Sequence, residues 1–292
     1  MSGIQIPNVA VLLAAYNGEK YIEEQILSII HQININLHLF ISIDQSNDQT
    51  YDICKNLQKK YSNIILLNQQ KIFGSAGKNF YHLLNEVDFS EFDFISLSDQ
   101  DDIWKPNKLF HGIELLKQKK SEGYSSDVEC FWENKKKNKI LKKSYPQKKY
   151  DYYFEPAGPG CTYILTNKLA TAIKEITRSK PNLPFHHDWF FYAFARKNNF
   201  KWTIDESANI LYRQHSNNQV GANLGLKQKI NRLLKLKNGI YRNEISEILE
   251  SVNIKKEIKL NIKNSVLKNP FLFRRKTSEA IFLYIFAIFN LI

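Results

Sequence analysis

The sequence predicts an α/β protein with a mostly parallel central sheet flanked by helices, followed by a basic helical extension. Three observations predict it. Short apolar runs alternate with amphipathic stripes along roughly the first 215 residues, the pattern of strands joined by crossover helices. Several of those runs end on acidic or polar residues, where open α/β sheets bind ligands. Beyond Gly221-Ala222 the pattern changes to helical stripes interleaved with Lys and Arg.

Val9 to Tyr16 is continuously apolar, as a strand covered on both faces requires, and Asn17-Gly18 punctuates it. Ile22, Ile26, Ile29 and Ile30 then make a helical stripe. Leu37 to Ile43 predicts a second strand ending at Asp44, and Asp48 is placed to cap a helix running to about Tyr61. Ile64 to Leu67 predicts a third strand, Gly74 to Gly77 a loop, Lys78 to Glu86 a helix, and Phe92 to Leu97 a fourth strand. Trp104 and Pro106 break that strand and open a helix at Asn107. Lys135 to Lys149 reads as an exposed loop or hairpin edge, because blocks of like charge favour water. Pro156 to Thr162 breaks any helix; a strand (Thr162 to Leu165), a helix (Asn167 to Thr177), an aromatic helix opened by His186-His187-Asp188-Trp189 and a strand (Ala208 to Leu211) follow.

At 292 residues and 43% hydrophobic the chain can bury a large core, which excludes a disordered protein. Three cysteines, Cys54, Cys130 and Cys161, have no paired spacing, against a disulfide framework and for a reducing compartment. The N-terminus lacks a basic region followed by an apolar run, so a cytoplasmic protein without a signal peptide is expected. The net charge is +12, and residues 222 to 292 hold 14 Lys and Arg against 5 Asp and Glu. The organisation expected is a domain over residues 1–221 and a basic extension over 222–292. The extension ends in Ala280 to Ile292, almost wholly apolar and preceded by Arg274, Arg275 and Lys276. That segment is too short for a bilayer span, so residues 271–292 read as an interfacial segment with a basic collar, or as a helix docked on the core or on another subunit. Charge concentrated beside an apolar end suits lipid better than nucleic acid.

The chemistry concentrates in Ser98-Asp99-Gln100-Asp101-Asp102. Carboxylates crowded at a strand end repel one another and need a counter-ion, and Asp99 and Asp101 would share one side of a regular strand. Such an oxygen-rich pair suits a hard divalent cation that also touches phosphates; the plainer reading is a solvated turn. Ala14-Ala15-Tyr16-Asn17-Gly18 is neither a dinucleotide fingerprint nor a P-loop.

Five segments in order, Val9 to Tyr21, Ser98 to Leu109, Gly158 to Thr162, His187 to Trp189 and Tyr212 to Asn218, resemble the family 2 glycosyltransferases of the GT-A fold. The resemblance spans about residues 7 to 221 and is narrower to bacterial rhamnosyltransferases of surface polysaccharide assembly. It implies a metal-dependent, inverting transfer. Asp101 would be the principal ligand of Mn2+ or Mg2+, Asp99 would approach the ribose or the metal, and His215 would complete the coordination. Asp188 would be the general base, although His187 stands before it where many relatives have an acid. Tyr16 and Asn17 would lie by the base or ribose, and Asp44, single here where relatives have two consecutive acids, would accept from a pyrimidine. Lys78 and Arg213 would contact the diphosphate. Trp104, Trp189, Gly158 and Gly160 would shape the acceptor and sugar pocket, core packing being an equal reading for the tryptophans. The resemblance implies a dTDP-rhamnose donor and a lipid-linked glycan acceptor at the inner face of the membrane. The alternatives are another sugar (galactose, N-acetylglucosamine or galactofuranose) from UDP, or a non-catalytic binding module on the same fold.

Overall fold

The computed structural model describes residues 6–67, 72–133, 137–180, 182–215, 239–253 and 256–292, with side chains of 256–260 excepted. The expected boundary at Gly221-Ala222, the start of the Lys-rich run and Ile254 lie outside the described residues. A seven-stranded sheet forms the centre, and its strands appear in sequence as β1 (Asn8–Ala15), β2 (Asn36–Ile43), β3 (Ile64–Leu66), β4 (Phe94–Ser98), β6 (Gly123–Ser126), β9 (Ile164–Thr166) and β10 (Trp202–Asp205). Their spatial order is β10-β6-β9-β4-β1-β2-β3. Strand β9 runs antiparallel to β4 and β6, and the other pairings are parallel. The predicted parallel half is therefore β1 to β4, with Val9 opposite both Leu37 and Phe94.

The continuous apolar run of β1 is explained by cover on both faces. Ala10, Leu12 and Ala14 enter one core with Phe80, Leu83 and Leu84 of α3 (Ala76–Glu86), Leu169 of α5 (Asn167–Ser179) and Phe190 and Phe191 of α6 (His187–Lys197). Val9, Val11 and Leu13 enter the other with Ile22, Ile26 and Ile29 of α1 (Ile22–Ile30), Cys54 of α2 (Thr50–Lys60) and Ile113 of α4 (Lys108–Lys119). The alternation is the two-residue period of a strand. Ahead of α2, Asp48 Oδ1 accepts the Thr50 N–H at 3.0 Å, while Gln49 holds the cap position.

A second sheet, which the sequence pattern did not reveal, has the order β5 (Ile103–Trp104), β11 (Ile210–Arg213), β7 (Val128–Phe131), β8 (Lys139–Leu141). The Lys-rich run thus contains a hairpin edge, Cys130 pairing with Lys139.

The C-terminal part packs on the domain instead of standing apart from it. Ile245, Ile248, Leu249 and Val252, mostly on α7 (Ile240–Ser251), lie in the same core as Trp189. Helices α8 (Lys256–Lys268) and α9 (Thr277–Ile288) follow, and Ala280, Leu283 and Ala287 are buried. The expected basic collar needs correction. Arg275 is buried, donating to Glu155 at 3.2 Å and to Ala157 O at 3.1 Å, and Arg274 donates to Phe154 O at 2.8 Å. Fixed acceptors on the 154–157 segment consume the charge that the sequence seemed to offer to lipid; Lys276 alone of the three is exposed. No helix among the described residues is long and apolar enough to cross a membrane.

Candidate active site

Strands β1, β2, β4 and β6 end along one edge, and the acidic residues gather there. After β1, Gln100 clasps the Tyr16 peptide: its Oε1 accepts the Tyr16 N–H at 2.7 Å and its Nε2 donates to Tyr16 O at 2.8 Å. Gly18 permits this, since a Cβ there would stand 2.5 Å from Gln100 Oε1. Asn17, at φ 46°, donates its N–H to Ser46 Oγ (3.0 Å) and accepts from Asn47 N (2.9 Å). The backbone is held while the Tyr16 ring remains 54% exposed.

Asp44 and Arg213 differ from expectation. Asp44 is buried, and its oxygens accept the N–H groups of Gln45 (2.8 Å), Phe73 (2.9 Å) and Gly74 (2.8 Å), so it organises the 73–74 turn instead of presenting free oxygens to a base. Arg213 is also buried, between the rings of Tyr21 (4.4 Å) and Phe131 (4.6 Å), with its guanidinium on Glu24 and Glu133. A diphosphate would have to displace two carboxylates from it, so the diphosphate role is corrected to an internal one. Lys78 is exposed in the first turn of α3, where Ser75 Oγ caps its N–H at 3.3 Å.

Strand β4 stops at Ser98, so Asp99 and Asp101 do not share a strand face; a bend carries them. Three bonds from the end of β11 fix that bend. Arg213 N donates to Asp102 Oδ1 at 3.2 Å, Arg213 Nε donates to Asp101 O at 2.9 Å, and His215 Nε2 meets Asp101 Oδ2 at 2.8 Å. The structure therefore brings Asp101 and His215 together across 114 positions of sequence.

Burial, then the charges of Asp101 and Asp188, push the Asp99 carboxyl up to about 7. Burial, then the charges of Asp101 and Asp99, hold Asp102 well above the carboxylate range, and its Oδ2 is buried without a partner. Asp99, Asp102 and Cys161 place ligand atoms within 4.8 Å of one another. Burial and the adjacent carboxylates push the Cys161 thiol well above its ordinary range. Asp99 and Asp102 in that group, with the Asp101–His215 pair on the same bend, are donor types that suit a hard divalent cation.

Trp104 and Trp189 belong to the core, which overturns their place in a sugar pocket. Both rings are buried, and Trp189 Nε1 donates to Tyr152 O at 2.9 Å. Over the Trp104 ring, 3.6 Å from its centroid, lies the buried ammonium of Lys108, which donates to Ser96 Oγ at 2.8 Å. Burial pushes Lys108 down to about 7 from 10.5. Between those values the unfolded chain binds the proton that the folded one lacks, so stability rises with pH through this window and the cost is fully present below it. Urea denaturation should show a rise of at most about 1.4 kcal/mol per pH unit between pH 7 and 9, and Lys108→Met should flatten it; an unaltered slope would refute the assignment.

Asp188 opens α6, with Oδ1 accepting the Trp189 N–H at 2.8 Å and its carbonyl accepting from Tyr163 Oη at 3.2 Å. Gly160 sets the distance between its turn and this helix: a Cβ would stand 2.9 Å from His187 Nε2 and 3.2 Å from Asp188 Cβ. Gly158 is looser, 3.4 Å from Ser126 O. Burial pushes His187, stacked 4.2 Å from Phe80, down to about 4, so it stays neutral beside Asp188. An open groove of about 850 Å³ lined by Asp93, Thr166, Asn167 and Lys174 lies at the opposite ends of the strands, away from these groups.

Sequence reasoning missed Gln100, Asp102 and Lys108. The first two stand inside the acidic run and were legible only as its spacing; Lys108 gives no signal beyond its place in a helix.

A family model described as "Glycosyltransferase like family 2" matches residues 7–156. The chain is 39% identical, over 96% of its length and 100% of the relative's, to a dTDP-rhamnosyl transferase, RfbG, of Shigella flexneri. It is 28% identical, over 65% of its length and 70% of the relative's, to the Escherichia coli UDP-Glc:alpha-D-GlcNAc-diphosphoundecaprenol beta-1,3-glucosyltransferase WfgD. Among solved structures, the mannosyltransferase PcManGT of Pyrobaculum calidifontis, in complex with GDP-Man and Mn2+, superposes with a TM-score of 0.56 at 12% identity, over 98% of this chain and 75% of that one.

Proposed function

The chain belongs to the family 2 glycosyltransferases, with a GT-A fold, and from that premise we propose that it transfers L-rhamnose from dTDP-rhamnose onto a lipid-linked surface glycan with inversion. The observation that carries the proposal is the meeting of Asp101 with His215 at the end of β4, with the charges of Asp101 and Asp188 both acting on Asp99.

Asp99, Asp101 and His215 would hold the divalent cation. Bound there, it supplies Lewis-acid neutralisation of the charge that develops on the departing β-phosphate. The exposed Tyr16 ring offers a face for the thymine base, beside Asn17. Lys78, exposed at the N-terminus of α3, would contact diphosphate oxygens, which favour helix N-termini. Asp188 takes the proton of the acceptor hydroxyl as that oxygen bonds to the anomeric carbon and the bond to the dTDP oxygen breaks, its electrons leaving with the diphosphate. A single displacement inverts the centre and needs no covalent enzyme intermediate.

Thermal shift tests the donor. A ligand that binds only the native state at a hundred times its Kd adds about 2.7 kcal/mol, so dTDP with Mn2+ should raise Tm by several degrees and lose most of that gain with EDTA. A larger rise with UDP would move the reading to a UDP-sugar.

The acceptor reading includes contact with a lipid surface through α9. Ile281, Phe282, Ile285, Ile288 and Phe289 are exposed along one side of that helix, opposite the buried Ala280, Leu283 and Ala287. Removing residues 271–292 would also remove Arg275 and Phe273 from the core, so surface substitutions are the cleaner test. Phe282→Ser with Phe289→Ser should reduce flotation with anionic liposomes several-fold, and equal flotation of both proteins would remove the lipid contact.

A further inference from the structure

The C-terminal extension holds a stretch of main chain that leads to the acceptor base. Residues 154–159 form neither helix nor strand and are largely buried, so their carbonyls must find donors outside any ladder. The donors to Tyr152, Phe154, Pro156 and Ala157 come from α6 or from the extension. Tyr152 O takes the Trp189 indole N–H, and Phe154 O accepts from Tyr241 Oη of α7 at 3.0 Å and from Arg274 Nη1 at 2.8 Å. Arg275 then closes on the next three residues at once. Its backbone N–H and its Nη2 donate to the Glu155 carboxylate at 2.7 and 3.2 Å, Nη2 donates also to Pro156 O at 2.5 Å, and Nη1 donates to Ala157 O at 3.1 Å. The guanidinium is buried, with Asp151 Oδ2 3.8 Å from its Nε.

Both ends of this stretch reach the helix that carries Asp188. Upstream, Asp151 binds α6 twice, accepting from Tyr192 Oη at 2.8 Å and from Arg196 Nη1 at 2.9 Å. Downstream, three residues beyond Ala157, Gly160 lies so close to the first turn of α6 that a Cβ would stand 3.2 Å from Asp188 Cβ. The turn and the helix therefore fit without slack, and the place of the turn sets where the Asp188 side chain can stand. Arg275 holds the middle of the stretch. Its planar fork bonds three consecutive residues, a geometry that a lysine ammonium does not reproduce. The match to the family model ends at residue 156, so this clamp is supplied from beyond it.

We infer that Arg275 is a positioning residue for the acceptor base: through Glu155, Pro156 and Ala157 it fixes the 158–160 turn, and that turn fixes Asp188 against the accepting hydroxyl. The inference rests on Asp188 as the base proposed above. It makes the extension part of the transferase site, with a charge that acts inward. A misplacement of about 1 Å at a reacting group costs about a hundredfold in rate, so loosening the clamp reaches turnover without touching the groups assigned to the donor.

A double-substitution cycle with Asp188→Asn tests this. With both substrates saturating, and below each variant's melting transition, Arg275→Met should lower kcat about a hundredfold and Arg275→Lys about tenfold, while the Kd for dTDP with Mn2+ changes less than about twofold. In the Asp188→Asn background no base is left to misplace, and Arg275→Met should cost less than about threefold more. The same factor in both backgrounds, or an undiminished kcat for Arg275→Met, would overturn the inference. Arg275→Lys keeps a charge beside Asp151 and Glu155 and carries the same cycle if Arg275→Met does not fold. Amide exchange reads the intermediate step without turnover. The Thr162 and Tyr163 N–H groups, bonded to Pro159 O at 3.0 Å and Gly160 O at 2.9 Å, should exchange at least about tenfold faster in either Arg275 variant, and unchanged exchange would also overturn the inference. Full transfer by Asp188→Asn alone would remove the base and the inference with it, a failure that this single variant tells apart from the others.

Discussion

Asp101→Ala is expected to lower glycosyl transfer at least about a thousandfold while leaving the fold intact. The side chain is joined to His215 Nε2 at 2.8 Å, and its own carbonyl is held by Arg213 Nε at 2.9 Å. Substitution removes the carboxylate but keeps the main-chain bond, so the bend should persist with one ligand gone and the imidazole released. Losing a single preorganised group that stabilises transition-state charge costs about a hundred- to a thousandfold; losing a principal metal ligand belongs at or beyond the upper end. Circular dichroism and Tm establish that the protein is folded, and steady-state turnover of dTDP-rhamnose with Mn2+ measures the loss. Transfer within tenfold of the unaltered enzyme would take Asp101 out of the metal site. Asp101→Asn separates charge from shape: it keeps an oxygen toward His215 and should still lose most activity, because a neutral amide is a weak partner for a hard cation.

What could be read in advance follows from the range of the interactions. Val9 to Ala15 is apolar at every position because both its faces are covered, and that makes a strand visible in one dimension. The stripe Ile22, Ile26, Ile29 is visible for the same local reason. The second sheet was not legible: β5 has two residues, and its Trp104 pairs with Ile210, more than a hundred positions away. The site divides in the same way. Asp99 and Asp101 stand out as a carboxylate cluster, but that Asp101 meets His215, and that Asp102 points an unpartnered oxygen inward, depends on β11 arriving beside the bend. Arg213 shows the opposite error. An arginine at a strand end reads as an anion ligand, yet here Glu24 and Glu133 supply the anions and Tyr21 and Phe131 the stacking faces, from two separate places in the chain. Arg275 repeats the lesson in the apolar tail, where Glu155 consumes its charge.

Asp188→Asn should reduce transfer by about a hundred- to ten-thousandfold, the usual contribution of a positioned general base. The substitution is nearly isosteric, and the features that place the residue survive it. An amide oxygen can still accept the Trp189 N–H now held at 2.8 Å, Tyr163 Oη still finds the residue 188 carbonyl, and Gly160, with no Cβ, still leaves room for the side chain. The capacity lost is that of accepting a proton. One further readout distinguishes a base from a structural acid. The charge of Asp188 helps to push Asp99 up to about 7, so neutralising it should lower the Asp99 pKa and shift the pH dependence of Mn2+ affinity toward acid. An acceptor base should therefore show two effects in one variant: transfer collapses, while Mn2+ and dTDP bind as well as before, or better, below pH 7. Weakened Mn2+ binding together with lost transfer would make Asp188 a member of the metal site and leave the acceptor hydroxyl without a base in this structure.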